Sequence, residues 1–245
     1  GLLALAACRN AEAPPVTVAH SFCPVDELVG WVEVSDYPDG TFVWGFIQER
    51  PFARFGAGEQ FGPCILHLEP PGCDRCLQDC TPQGVCVEPP RNFDWEVAVV
   101  ADGQTSSVRS SEHVGDVPVA ETYDLTLQWN GHAAGVEGLR FPQDELVGTL
   151  GYADEYRLDW AAPDDGSAVL VQLAKDHHAN SLDYARCSSL AADGGLLIPT
   201  DVVEPFSESR HTSLYYENGD YQAVWVDEGC IQFAASRWME LEWAE

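Results

Sequence analysis

The sequence predicts an all-β protein built from one or two β-sandwich modules. Three observations carry this. Short runs alternate apolar and polar residues, turn residues punctuate them at close spacing, and no long amphipathic helical pattern is present. A chain of 245 residues is long enough to bury a core, and 45% hydrophobic with 11% aromatic residues excludes a disordered chain.

The elements follow in order. Residues 29–34 (VGWVEV) and 41–48 (TFVWGFIQ) read as strands flanking Asp36, Tyr37, Pro38, Asp39 and Gly40, which supply hairpin chemistry. Phe42, Trp44 and Phe46 alternate onto one face. Residues 94–101 (DWEVAVVA) run into Asp102-Gly103, and residues 123–129 alternate Tyr123, Leu125, Leu127 and Trp129. Further strands are expected at 156–160, 182–187, 214–217, 221–226 and 231–235, with Asn218-Gly219 as a second hairpin turn. Residues 168–175 (AVLVQLAK) fit a strand or a short helix equally. Trp44, Trp129 and Trp160, in strand-like runs, are expected in the core.

Residues 63–90 differ in texture. Cys64, Cys73, Cys76, Cys80 and Cys86 fall here among prolines and polar residues, as in a disulfide-knotted loop. Gly138-Leu139-Arg140-Phe141-Pro142 and Gly195-Leu196-Leu197-Ile198-Pro199 form a faint internal repeat. That suggests an N-terminal β module over 16–148 and a C-terminal β-sandwich module over 149–245.

The chain opens with GLLALAA over residues 1–7, followed by Cys8 and a polar stretch containing Pro14 and Pro15. Such an apolar run has the character of a signal-peptide remnant and is not read as structure. Leu5-Ala6-Ala7-Cys8 resembles the bacterial lipobox, in which the cysteine is acylated and becomes the first residue of the mature chain. The resemblance implies a lipid anchor on Cys8, a flexible tether over 8–15, and a place in the bacterial cell envelope. Arg9 after the cysteine favours the outer membrane over the inner one. Several acyl chains, at about 0.8 kcal/mol per buried CH₂, make such anchoring stable. Setting Cys8 aside from the nine cysteines leaves an even eight, which suits disulfides in an oxidising compartment. The clustering in sequence leads us to expect that Cys23, Cys64, Cys73, Cys76, Cys80 and Cys86 pair among themselves, with Cys187 bonded to Cys230. The connectivity within the six stays open.

Taken together, the lipobox, Gly62-Pro63-Cys64, the knot from Cys73 to Cys86, and the Cys187 strand followed by Gly-Leu-Leu-Ile-Pro resemble a loose group of uncharacterised lipoproteins from myxobacteria and their relatives. Leu158-Asp159-Trp160-Ala161-Ala162-Pro163 is also similar to a strand of fibronectin type III modules. The resemblance implies location and fold, and no catalytic residues.

Charge narrows the function further. Forty acidic against 12 basic residues give a net charge of −28, which phosphate backbones repel, so nucleic-acid binding is excluded. Cys73-x-x-Cys76 sits in a Pro-rich loop rather than at a helix start, which argues for structural disulfides over redox chemistry. No metalloprotease or nucleophile-elbow motif occurs, and adjacent His177-His178 fall in a loop. Calcium is the one cofactor the residues suggest, with Asp36, Asp39, Asp164 and Asp165 offering carboxylates beside glycines in turns. Such Asp-Gly pairs are also ordinary turn chemistry. The reading favoured is a non-catalytic, lipid-anchored envelope protein that meets the bilayer through Cys8 and serves a binding, adhesion or scaffold role of open specificity, a protein or glycan being the candidate ligand of its β modules. The alternative is an exported hydrolase whose site is assembled from distant residues.

Overall fold

The protein is described from a computed structural model, which covers residues 20–37, 40–53, 58–73, 76, 79–110, 115–143, 145–152, 156–175, 183–207 and 212–243. Among these it is all-β, with one short α-helix. The chain first forms β1 (Leu28–Tyr37), β2 (Gly40–Ile47), β3 (Glu59–Phe61), β4 (Cys64–His67), β5 (Asp79–Cys80) and β6 (Cys86–Val87). There follow β7 (Trp95–Ala101), β8 (Gln104–Arg109), β9 (Gly115–Asp116), β10 (Thr122–Trp129), β11 (His132–Arg140), β12 (Val147–Tyr152) and β13 (Tyr156–Trp160). The remainder is β14 (Ala168–Lys175), β15 (Tyr184–Leu190), β16 (Gly195–Ile198), α1 (Thr200–Ser207), β17 (Thr212–Val226), β18 (Gly229–Trp238) and β19 (Glu240–Trp243). No helix among the described residues is long and apolar enough to cross a membrane.

A nine-stranded sheet in the order β3-β4-β15-β14-β17-β18-β1-β2-β9 organises the molecule. Side chains alternate across each strand, so register assigns its faces. On one face lie Val32 and Val34 of β1, Phe233 and Ala235 of β18, Val169 and Val171 of β14, and Cys187 of β15. Two smaller sheets cover this face side by side. β11-β10-β7-β8 packs on the β1–β2–β18 end, where Tyr123, Leu125, Leu127 and Trp129 meet Val32, Val34 and Phe233. β16-β13-β12-β19 and α1 pack on the β14–β15 end, where Leu158, Trp160, Ile198 and Phe206 meet Val169, Val171 and Cys187. The large sheet is therefore shared by both cores.

That sharing corrects the expected division at 148/149. β1 pairs in parallel with β18, and β4 pairs with β15, so strands from both halves of the chain form one sheet. The faint repeat does not mark equivalent units either. Gly138 lies within the β10–β11 hairpin, whereas Gly195 begins β16, which pairs with β13 and leads into α1.

Local sequence explains most elements. Burial in β10 alternates without a break, and Asn130-Gly131 (φ 41° and 81°) turns the chain into β11 as Asp102-Gly103 (φ 50° and 74°) turns β7 into β8. Left-handed φ at both turn positions is the geometry that tight hairpins need. Residues 168–175 form a strand rather than a helix, because β15 and β17 bond to both of its edges. Asn218-Gly219 proves not to be a turn. Both residues lie inside β17, hydrogen-bonded between β14 and β18, and a Cβ on Gly219 would stand 2.7 Å from the Ala235 carbonyl oxygen. Glycine serves close strand approach there, not reversal.

All eight described cysteines are oxidised, but their pairing corrects the expectation. The bonds are Cys23–Cys230, Cys64–Cys187, Cys73–Cys80 and Cys76–Cys86. Cys187 does not join Cys230, because β15 lies beside β4 with Cys187 directly opposite Cys64. Closeness in sequence misled here, since antiparallel pairing brings together residues 123 positions apart. Only two bridges remain in the loop over 63–90, and Arg50 reaches in to the buried Asp79 at 3.3 Å.

Candidate functional site

The opposite face of the nine-stranded sheet carries the candidate site. Register places Trp31, Glu33 and Ser35 of β1 there, with Trp44 and Phe46 of β2, Glu217 and Tyr221 of β17, Gln172 of β14, and Arg186 of β15. Trp44 and Phe46 line the same cavity of about 400 Å³ as Tyr184 and Arg186, although four strands lie between β2 and β15. Flat strands would hold them about 24 Å apart. The sheet must therefore curl, and the cavity sits in its hollow.

The N-terminal segment closes one side. Cys23 bonds to Cys230, Ser21 N–H donates to the Tyr221 carbonyl at 3.0 Å, and Gln232 Nε2 donates to the Ser21 carbonyl at 3.2 Å. His20 Nδ1 stands 3.3 Å from Asp220 Oδ1 and its Nε2 lies 2.5 Å from the Gly166 carbonyl oxygen. Burial works to lower the His20 pKa, but these partners outweigh it and raise it. From this strap Val25 and Leu28 reach the cavity wall, and Phe22 packs against Tyr221 with ring centroids 4.9 Å apart.

Most of the wall is apolar and aromatic. Trp31 and Trp44 stack with centroids 6.4 Å apart, and Tyr215 meets Trp238 edge to face at 5.5 Å. The polar groups are few and differently committed. Glu33 is 1% exposed and accepts from Trp31 Nε1 at 2.7 Å, from Ser35 Oγ at 2.6 Å, and from Ser236 Oγ. Burial raises its pKa while these three donors pull it back. Both of its oxygens are thus occupied.

Glu217 is 6% exposed, and its Oε2 has no hydrogen-bond partner. Burial, and next the charge of Glu33, raise its pKa well above the ordinary glutamate range and favour the neutral acid. Burial and the same carboxyls raise the Tyr221 pKa in turn, and burial pushes Tyr184 up to about 12. Tyr184 Oη donates to Gln172 Oε1 at 3.0 Å.

Arg186 is 6% exposed and lines the cavity. Its guanidinium lies 5.3 Å over the Phe22 ring and forms no ion pair with the described carboxylates. Burial lowers its pKa, yet an arginine retains its charge under any ordinary condition.

None of the described calcium candidates singled out in the sequence lines the cavity. Cys8 and Asp39 fall outside the described residues, as do His177 and His178. Asp36 is held by Arg237 at 3.0 Å and accepts from Thr41, while Asp165 accepts from the Ser167 amide at 2.9 Å in its own loop. Asp164 lies exposed beside it. Among the described residues no three His, Cys, Asp or Glu side chains gather as metal ligands. Trp129 and Trp160 are core residues as expected, but Trp44 faces the cavity. The site residues that sequence reasoning missed are Glu33, Glu217 and Arg186. One signal for Glu33 was available, a glutamate sharing strand parity with Trp31 in an otherwise apolar run. The chain matches no protein-family model, and no curated protein matches it.

Proposed function

We propose that this protein is a non-catalytic ligand-binding module of the bacterial cell envelope, tethered by an acylated Cys8, that receives a small apolar ligand in the hollow of the large sheet. The observation that carries the reading is the cavity of about 400 Å³, with aromatic walls and a few convergent polar groups. Concave, mostly apolar sites of this size with sparse polar anchors are the usual form of small-molecule sites. The lipobox-like sequence supports the tether, and four disulfides suit an oxidising compartment.

Two measurements test it. The neutral fluorophore N-phenyl-1-naphthylamine should bind the wild-type chain saturably at one site. Leu28→Trp, which fills the cavity from the strap side, should abolish that binding; unchanged binding would place the ligand elsewhere. Cys8→Ser in the precursor should abolish acyl labelling and release the protein from membranes.

The second reading, an exported hydrolase, draws on Glu33 and Glu217 sharing one cavity, since a carboxyl with a raised pKa can serve as a general acid. Against it, Glu33 is fixed by three donors, which leaves no free carboxylate to act as nucleophile or base beside Glu217. Turnover of chromogenic glycosides that Glu217→Gln abolishes would establish the hydrolase instead.

A further inference from the structure

Arg186 poses a problem that the described carboxylates do not solve. A buried guanidinium does not shed its proton, and burying a charge without an opposite one beside it is unfavourable. Most buried arginines meet a carboxylate, but among the described carboxylates none pairs with this one, which lies 5.3 Å over the face of Phe22. Guanidinium N–H groups match a carboxylate in a two-pronged pairing, which an aromatic face does not supply.

The nearby carboxyls do not fill that role. Glu33 spends both oxygens on Trp31, Ser35 and Ser236. Glu217 shares the cavity wall but makes no ion pair with Arg186. Burial and the Glu33 charge raise its pKa, and in its protonated form it can donate a hydrogen bond to an incoming carboxylate. The rest of the wall suits a flat apolar body, since Trp31 and Trp44 stack within 14° of parallel.

We propose that the cavity takes an organic carboxylate with a flat apolar body, its head group paired with Arg186 and its body against the tryptophan wall. This rests on the reading of the cavity as the binding site. The ligand then supplies the anionic partner that none of the described carboxylates gives Arg186.

The test compares three probes of equal shape and different charge, 2-naphthoate, 2-naphthylmethanol and 2-naphthylmethylammonium, titrated into the full chain and followed by tryptophan fluorescence. Charge-assisted pairing predicts that naphthoate binds about ten- to a hundredfold more tightly than the alcohol. Arg186→Gln should erase that preference, and Arg186→Lys should keep part of it. The wild-type ranking stands even if the variants fold poorly. Equal binding of acid and alcohol, or tighter binding of the ammonium, would overturn the carboxylate assignment and leave the cavity as the site. Absence of saturable binding by all three would overturn both.

Discussion

At Glu217 the physics of burial can be read most directly. The side chain sits on the inner face of β17, shielded from water, with the Glu33 carboxyl near enough to oppose its ionisation. The sign of the consequence follows from linkage. A carboxyl whose folded pKa is raised binds its proton more tightly in the folded state, so its contribution favours folding at low pH. That contribution is lost as pH rises from about 4.5 through the folded value. Urea unfolding at pH 5 and pH 8 should therefore show a smaller difference in midpoint for Glu217→Gln than for wild type; an unchanged difference would remove Glu217 as a source. Glu33 illustrates the other solution to burial, in which donors from Trp31, Ser35 and Ser236 hold the carboxyl in place.

Among the elements, the strands that sequence reveals best are those with one covered face. β10 and β7 alternate because one side meets the core and the other meets water, and period two is visible in the residues themselves. β14 is less legible because both of its faces are covered, so Ala168, Val169, Leu170 and Val171 are all buried and no alternation survives. β17 is misread for a different reason. Asn-Gly favours a tight turn in isolation, but tertiary pairing on both edges holds Asn218 and Gly219 extended. Gly219→Ala should be destabilising by about 1–3 kcal/mol, since the added methyl meets backbone at 2.7 Å and neighbouring strands must part. Thermal unfolding measures this, and a neutral substitution would mean that β17 and β18 are less tightly apposed.

For the whole molecule, the long-range bridges matter most. Cys23–Cys230 and Cys64–Cys187 close loops spanning 207 and 123 positions, each restricting the unfolded chain by about 5 kcal/mol on the chain-entropy model. The first also fixes the strap that walls the cavity. Replacing Cys23 and Cys230 together by serine should lower unfolding free energy by about 3–5 kcal/mol and raise amide exchange over residues 20–28. A loss below about 1 kcal/mol would show that the strap's hydrogen bonds suffice. The site itself was illegible in sequence for a topological reason. Glu33, Arg186 and Glu217 come from β1, β15 and β17, and only the parallel pairing of β1 with β18 brings the first strand beside the last third of the chain. No local spacing encodes that.

The central claim is that the hollow of the large sheet is where a ligand sits, and the tryptophans report on it by position. Trp31, Trp44 and Trp238 line the cavity, whereas Trp95, Trp129 and Trp160 belong to the cores on the other face. Fluorine NMR of the 5-fluorotryptophan-labelled chain, assigned by single Trp→Phe variants and titrated with 2-naphthoate, separates the two groups in one experiment. The account predicts that the resonances of Trp31, Trp44 and Trp238 move together with a single saturation curve while those of Trp95, Trp129 and Trp160 stay in place. Shifts confined to Trp95 and Trp129, or to the exposed Trp225, would contradict it.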